Sequence, residues 1–179
     1  ERIAKRIVQE ASKRQVIVFT HNVVFASHLM DEANTQSVLK TAKTIFKMPQ
    51  PGKVSEGLPW DAKPVKARVS WLRNKLQTLS TAHRKGDVDA YNEGCELFYK
   101  RLRETWERAI EEHLFANVVK RYKRDVETSL LRNVKIIDTD YDVVDENMGR
   151  CSNFLHDSPS EETVQIPAPN ELEQDLNKL

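Results

Sequence analysis

Four consecutive apolar residues, Val16-Ile17-Val18-Phe19, most of them β-branched, constrain this chain more than any other stretch. Such a run reads as a strand buried on both faces, of the kind found in the middle of an α/β layer. It stops at Thr20-His21-Asn22, three polar residues at the strand's carboxyl end. Open α/β sheets place their ligands there. A strand of this kind demands neighbours, and no second clear buried strand follows within the 179 residues. The expectation is that the companion strands lie in other sequence, and that this chain is the C-terminal part of something larger.

The flanks of the run read as helices. Residues 1–13 carry Ile3, Ile7, Val8 and Ala11 at helical spacing. Val24, Phe25, His28, Leu29 and Ala33 do the same after it, with Asn22 or Thr20 as the cap. Residues 35–48 suit a strand or a short helix, and edge-strand hairpins fit their β-branched content slightly better. Residues 1–48 are therefore expected to form the end of an α/β domain. Residues 49–63, rich in Pro and Gly, are expected to form a linker loop.

Residues 64–179 read as a helical domain. Val65, Val69, Leu72, Leu76 and Leu79 mark one helix, stopped at Gly86; Tyr91, Cys95, Phe98, Leu102, Trp106, Ala109 and His113 mark a second, capped by Asp87. That second pattern could extend past Tyr122, with a break near Asn117. Residues 130–138 suit a strand or an extended connector. Tyr141, Val144, Met148, Cys151 and Leu155 then mark a further helix capped by Thr139 or Asp140, and Leu172, Leu176 and Leu179 a short last one. Charged residues at 31% with only five glycines agree with long helices. The expected fold class is mainly α: the edge of an α/β layer with one clear core strand, followed by a helical bundle.

A net charge of +1 does not announce a nucleic-acid binder, although the basic run at residues 120–124 has the make-up of a backbone contact. Two cysteines are too few for a disulfide framework or a zinc site and suit a reducing cytoplasm. No apolar run is long enough to cross a membrane, so the expected protein is soluble and cytoplasmic. His28, His83 and His113 have no partners at metal-ligand spacing and read as structural, and no metal site is expected.

His21 sits where an imidazole can reach a bound phosphate. The stretch QVIVFTHN resembles the last core strand and switch histidine of ABC-type ATPases, in particular the RecF/SMC-related ATPases of bacterial defence systems. The resemblance implies that residues 1–13 form the helix after the aspartate-bearing strand, and that His21 contacts the γ-phosphate and helps position the attacking water. It implies ATP and Mg as cofactors and ATP-driven dimerisation of the heads. The chain departs from the family in having no G-x-x-x-x-G-K-[S/T], no magnesium-holding aspartate before the His21 strand and no signature Ser-Gly-Gly. ATP and Mg are thus expected to be bound mainly by residues outside this chain, and His21 to serve a site built elsewhere. The bland alternative is a strand-end histidine that hydrogen-bonds backbone.

Arg150, Asn153 and His156 descend one strip of the late helix. Metal-free RNA cleavage needs a base for the 2′-hydroxyl and a cation for the phosphorane, and histidine and arginine supply them. The pair resembles the R-x4–6-H motif of HEPN ribonucleases, and the order ATPase then helical domain resembles the PrrC and RloC type of anticodon nuclease. The resemblance implies that His156 acts as base or acid and Arg150 binds phosphate, with RNA, tRNA included, as substrate. Cys151 stands where the family usually has a polar residue. Arg103 and Glu107, one turn apart, match the Arg–Glu set such nucleases carry, and Arg108 with Glu111 or Glu112 repeats the spacing. The plainer readings are a surface ion pair for Arg150 and a solvated helix face for Arg103 and Glu107.

Two functions of different classes follow. One is the C-terminal segment of an antiviral defence ATPase whose helical effector cleaves RNA. The other is a non-catalytic helical module that recruits a separate toxin or nuclease, or the head of a DNA-repair ATPase. The expected partners are the rest of the ATPase head, a second copy in a homodimer or higher oligomer, and RNA, with no membrane.

Overall fold

The computed structural model describes residues 2–121, 126–155 and 166–179 and is mainly helical, with one two-stranded sheet among those residues. The chain divides into two units, residues 1–63 and residues 64–179.

In the first unit, helix α1 (Arg2–Ala11) lies against α2 (Val23–Thr35). The buried positions are small or slender: Ala4 and Val8 on α1, Ser27 and Ala33 on α2. The expected stripe is thereby rotated, since Ala4 is inside and Ile3 is exposed. Between the helices, residues 15–20 run outside any helix or ladder, and residues 16–19 are exposed, from 37% at Val16 to 83% at Phe19. This corrects the opening expectation. No strand among the described residues pairs with the run, and nothing among them buries it.

The sheet lies further on, as an antiparallel hairpin of β1 (Lys43–Ile45) and β2 (Val54–Glu56), with Lys43 opposite Glu56 and Ile45 opposite Val54. A Phe46 N–H to Lys53 carbonyl bond of 2.8 Å continues the ladder towards the turn. A 3-10 turn, Trp60–Ala62, follows beside α2. Residues 49–63 therefore hold a hairpin strand and a turn of the first unit, and the division falls after Lys63.

In the second unit, α3 (Val65–Lys85) and α4 (Val88–Ala109) form an antiparallel hairpin. Gly86 adopts a left-handed φ of 70°, which a Cβ would penalise, and its N–H closes onto the Ala82 and His83 carbonyls. Asp87 then caps α4 by accepting from Ala90 N–H at 3.3 Å. Pro64 offers α3 no side-chain cap, and Glu112 supplies the acceptor instead, taking the Val65 N–H at 3.1 Å. The core joins Leu72 and Leu79 to Tyr91, Cys95, Phe98, Tyr99, Leu102 and Trp106. Trp106 is thus a core residue.

Helix α4 stops in a π-helical turn, Ile110–Leu114, followed by left-handed Ala116 and Asn117, at the predicted break. The region expected as strand or connector is a 3-10 helix, Thr128–Asn133, and then extended backbone. Helix α5 (Asp138–Leu155) packs on α4, while α6 (Pro169–Asn177) packs on α3 and fills the core with Leu172 and Leu176.

Gly94 sets the α3–α4 approach, because a Cβ there would lie 2.2 Å from Leu79 Cδ2 in a fully buried setting. Overpacking of this sort costs about 1–3 kcal/mol, against the ~1 kcal/mol that alanine gains as a helix former. Gly94→Ala is expected to lower the urea midpoint; an unchanged or raised midpoint shows that Leu79 can step aside.

Candidate functional site

His21 is delivered by the two residues around it. Thr20 Oγ1 accepts the Asn22 N–H at 3.0 Å, and Asn22 Oδ1 accepts the Phe25 N–H at 3.0 Å, which turns the chain from extended backbone into α2. His21 itself is exposed at that corner, beside the positive end of a 13-residue helix. This geometry lets an imidazole meet an anion. The fit to ATP and Mg is limited to this one residue, since nothing else in the chain's sequence cradles phosphates.

The late-helix candidates lie where α4, α5 and α6 meet. Arg150 Nε donates to Asp175 Oδ2 at 2.5 Å and its Nη2 reaches Glu171 Oε2 at 3.5 Å. Tyr99 Oη donates to the same Asp175 oxygen at 2.8 Å. Asp175 is only 4% exposed, whereas the Arg150 side chain keeps 42%. The hydrogen bond to Asp175 raises the Arg150 pKa, and burial followed by that carboxylate raises Tyr99. Asn153 is exposed on the next turn, and His156 lies outside the described residues. Cys151 is buried between them, and burial pushes its thiol up to about 12; the Asp175 charge adds to this, and Arg103 and Arg150 oppose it.

A second charged cluster closes the end of α4. Arg103 Nε stands 3.8 Å from Glu107, whose other oxygen accepts from Arg121 Nη1 at 2.6 Å. Arg121 also donates to Glu111, which takes a further bond from Arg108 Nη1 at 3.1 Å. Arg108 and Glu111 are each 6% exposed, so this repeat of the Arg–Glu spacing is a buried ion pair and not a solvated face. Tertiary cover decides that, because the same spacing on an open helix stays wet. Arg121, expected as part of a basic nucleic-acid contact, is committed to two glutamates, and residues 122–125 of that run lie outside the described residues.

Among the described residues no group of three or more His, Cys, Asp or Glu could hold a metal. A surface depression of about 520 Å³, lined by Leu76, Ser80, Arg84 and Glu173 among others, contains none of the predicted site residues. Tyr99 and Asp175 were not singled out by sequence. The available signal was Asp175 itself, a carboxylate inside the stripe of Leu172, Leu176 and Leu179. No protein family, curated protein or solved structure matches the chain.

Removing one partner of a buried ion pair typically costs about 3–5 kcal/mol, whereas replacing both by apolar residues is often neutral. Arg108→Ala should therefore destabilise strongly in a denaturant titration, and the pair Arg108→Met with Glu111→Leu should recover most of the loss. A second expectation concerns pH. An unfolded Cys151 thiol ionises near its ordinary 9.0, while the folded one holds its proton to about 12. The stabilisation is full below that ordinary value and declines as pH climbs from there toward the folded one. Tyr91, Tyr99 and Cys95 are shifted in the same direction. Melting midpoints should fall above about pH 9, and Cys151→Ala should flatten the decline.

Proposed function

We propose that this chain is the C-terminal segment of a RecF/SMC-like ABC-type ATPase of an antiviral defence system, acting in the cytoplasm. The observation that carries the reading is the exposed apolar run at residues 16–19, unpaired among the described residues, which leads to the exposed His21 at the N-terminus of α2. Burying a Val, Ile or Phe side chain is worth about 1.5–3 kcal/mol each, so a sheet supplied by the rest of the head gains substantially by accepting this strand. Doing so sets His21 at the sheet's carboxyl edge, where nucleotides bind. ATP and Mg are held mainly by that other polypeptide, and nucleotide-driven pairing of two heads makes the active form a dimer or higher oligomer. No described helix is long and apolar enough to cross a membrane.

The helical unit is the effector. Arg150, whose side chain keeps 42% exposure, and the exposed Asn153 near it on α5 support the ribonuclease reading. In it, His156 takes the 2′-hydroxyl proton, the 2′-oxygen attacks phosphorus to form a 2′,3′-cyclic phosphate, and the bond to the 5′-oxygen breaks as that oxygen takes a proton from water, whose hydroxide the His156 imidazolium neutralises. Arg150 neutralises the phosphorane, Arg103 with Glu107 and Asn153 orient the backbone, and tRNA is a candidate substrate. The second reading, a non-catalytic module that recruits a separate toxin or nuclease, draws support from the engagement of Arg150 with Asp175.

Two substitutions in the assembled ATPase test these assignments. His21→Ala is expected to lower ATP turnover by about a hundredfold or more with nucleotide affinity retained; unaltered turnover removes the switch assignment. His156→Ala is expected to abolish RNA cleavage, and cleavage that persists undiminished leaves the recruiting module. Salt-sensitive DNA binding with intact RNA instead points to a repair ATPase.

A further inference from the structure

Helix α6 is an unusual element to hold a bundle together. It is nine residues long, too short to persist in isolation, and it follows the residue 156–165 segment that separates it in sequence from α5. Its seat combines two kinds of contact. Leu172 and Leu176 enter the core, while Asp175 and Glu171 both face Arg150 on α5. The Leu contacts alone would suffice to cover apolar surface. The carboxylates do something different: they neutralise a guanidinium that retains 42% of its side-chain exposure. Glu171 is the outer partner, 45% exposed, and it also takes the Ala168 N–H at 3.2 Å, so it is fixed at the first turn of α6. Of the two carboxylates on Arg150, Glu171 is the exposed one and Asp175 the buried one.

We propose that α6 is an autoinhibitory clamp, in which Asp175 and Glu171 occupy Arg150 in place of an RNA phosphate until α6 is displaced. This rests on the ribonuclease reading to the extent that Arg150 is taken as its phosphate-binding residue. Carboxylate and phosphate compete for the same fork of donors, so the docked helix and bound RNA exclude one another at this arginine. Freeing α6 exposes Arg150 and relieves the repulsion of two negative charges at one step. Displacing α6 also withdraws Leu172 and Leu176 from the core.

The test measures binding of a fluorescein-labelled single-stranded RNA oligonucleotide to the full chain at low salt, separately from cleavage. Asp175→Asn keeps an acceptor for Tyr99 and removes the charge, and Glu171→Gln keeps the acceptor for Ala168. Each is expected to tighten RNA binding about three- to tenfold, and Arg150→Ala placed in the same background should erase the gain. Circular dichroism establishes that each variant is folded. Should Asp175→Asn fail to fold, the exposed Glu171→Gln decides alone. Unchanged affinity in the folded variants, or a gain that survives Arg150→Ala, overturns the clamp. The two readings fail separately. Tighter Arg150-dependent binding without cleavage supports the clamp and removes the nuclease. Cleavage by the parent that neither variant accelerates, with binding unchanged, removes the clamp and leaves the nuclease.

Discussion

A single carboxylate under α6 governs how the helical unit is put together. Asp175 is buried on the apolar stripe of the shortest helix, between Leu172 and Leu176. A desolvated carboxylate costs several kcal/mol unless charge and hydrogen bonds compensate it. Here the compensation comes from two other helices, Tyr99 Oη of α4 and Arg150 Nε of α5. Helix α6 can therefore seat only when α4 and α5 are already in register, whereas leucines alone would tolerate a slide along the groove. Tyr99 is held for the task by aromatic neighbours, edge-on to Phe98 at 5.8 Å and tilted against Phe154 at 4.5 Å. The hydrophobic contacts supply cohesion and the polar triad supplies the register.

The parts of this fold that were legible in sequence are those set by local chemistry. The α3–α4 hairpin follows from apolar steps of three and four, from Gly86 in its left-handed role and from Asp87 as a cap, all of which act within one turn of helix. The break near Asn117 was legible for a different reason, the length an unbroken pattern past Tyr122 would have reached, and the left-handed Ala116 and Asn117 lie there. What escaped is nonlocal. Asp175 finds partners 25 and 76 residues away, and Arg121 reaches back 10 and 14 residues, distances at which spacing carries no information. Arg108 and Glu111 have the spacing of an ordinary surface pair, and only burial by the rest of the unit distinguishes them. Residues 49–63 misled in a related way, since Pro and Gly mark a linker and a hairpin turn equally well.

The run at residues 16–19 is the inverse case. Its composition is that of a buried strand, yet it is exposed, because β-branched alternation reports the environment a segment is suited to rather than one that its own chain provides. An unpaired, extended apolar strand is also an aggregation hazard. Arg14 and Lys13 precede it and His21 follows it, but within the run there is no charge or proline to discourage pairing. A segment of that kind is tolerable in a cell when another sheet covers it soon after synthesis, and this is the physical content of assigning it to the edge of an ATPase head.

The arginines of the helical unit share one further property that bears on the effector. Arg150 faces Asp175 and Glu171, Arg121 faces Glu107 and Glu111, and Arg108 faces Glu111 and Glu112. Each of these three arginines is opposed by two carboxylates. Constitutive nucleic-acid binders leave such cations facing solvent, so that counterion release drives association. At these three arginines a phosphate competes with carboxylates of α4 and its π-helical turn, or with those of α6. Under the clamp proposal, a phosphate contact at Arg150 is conditional on the seat of α6, a nine-residue helix.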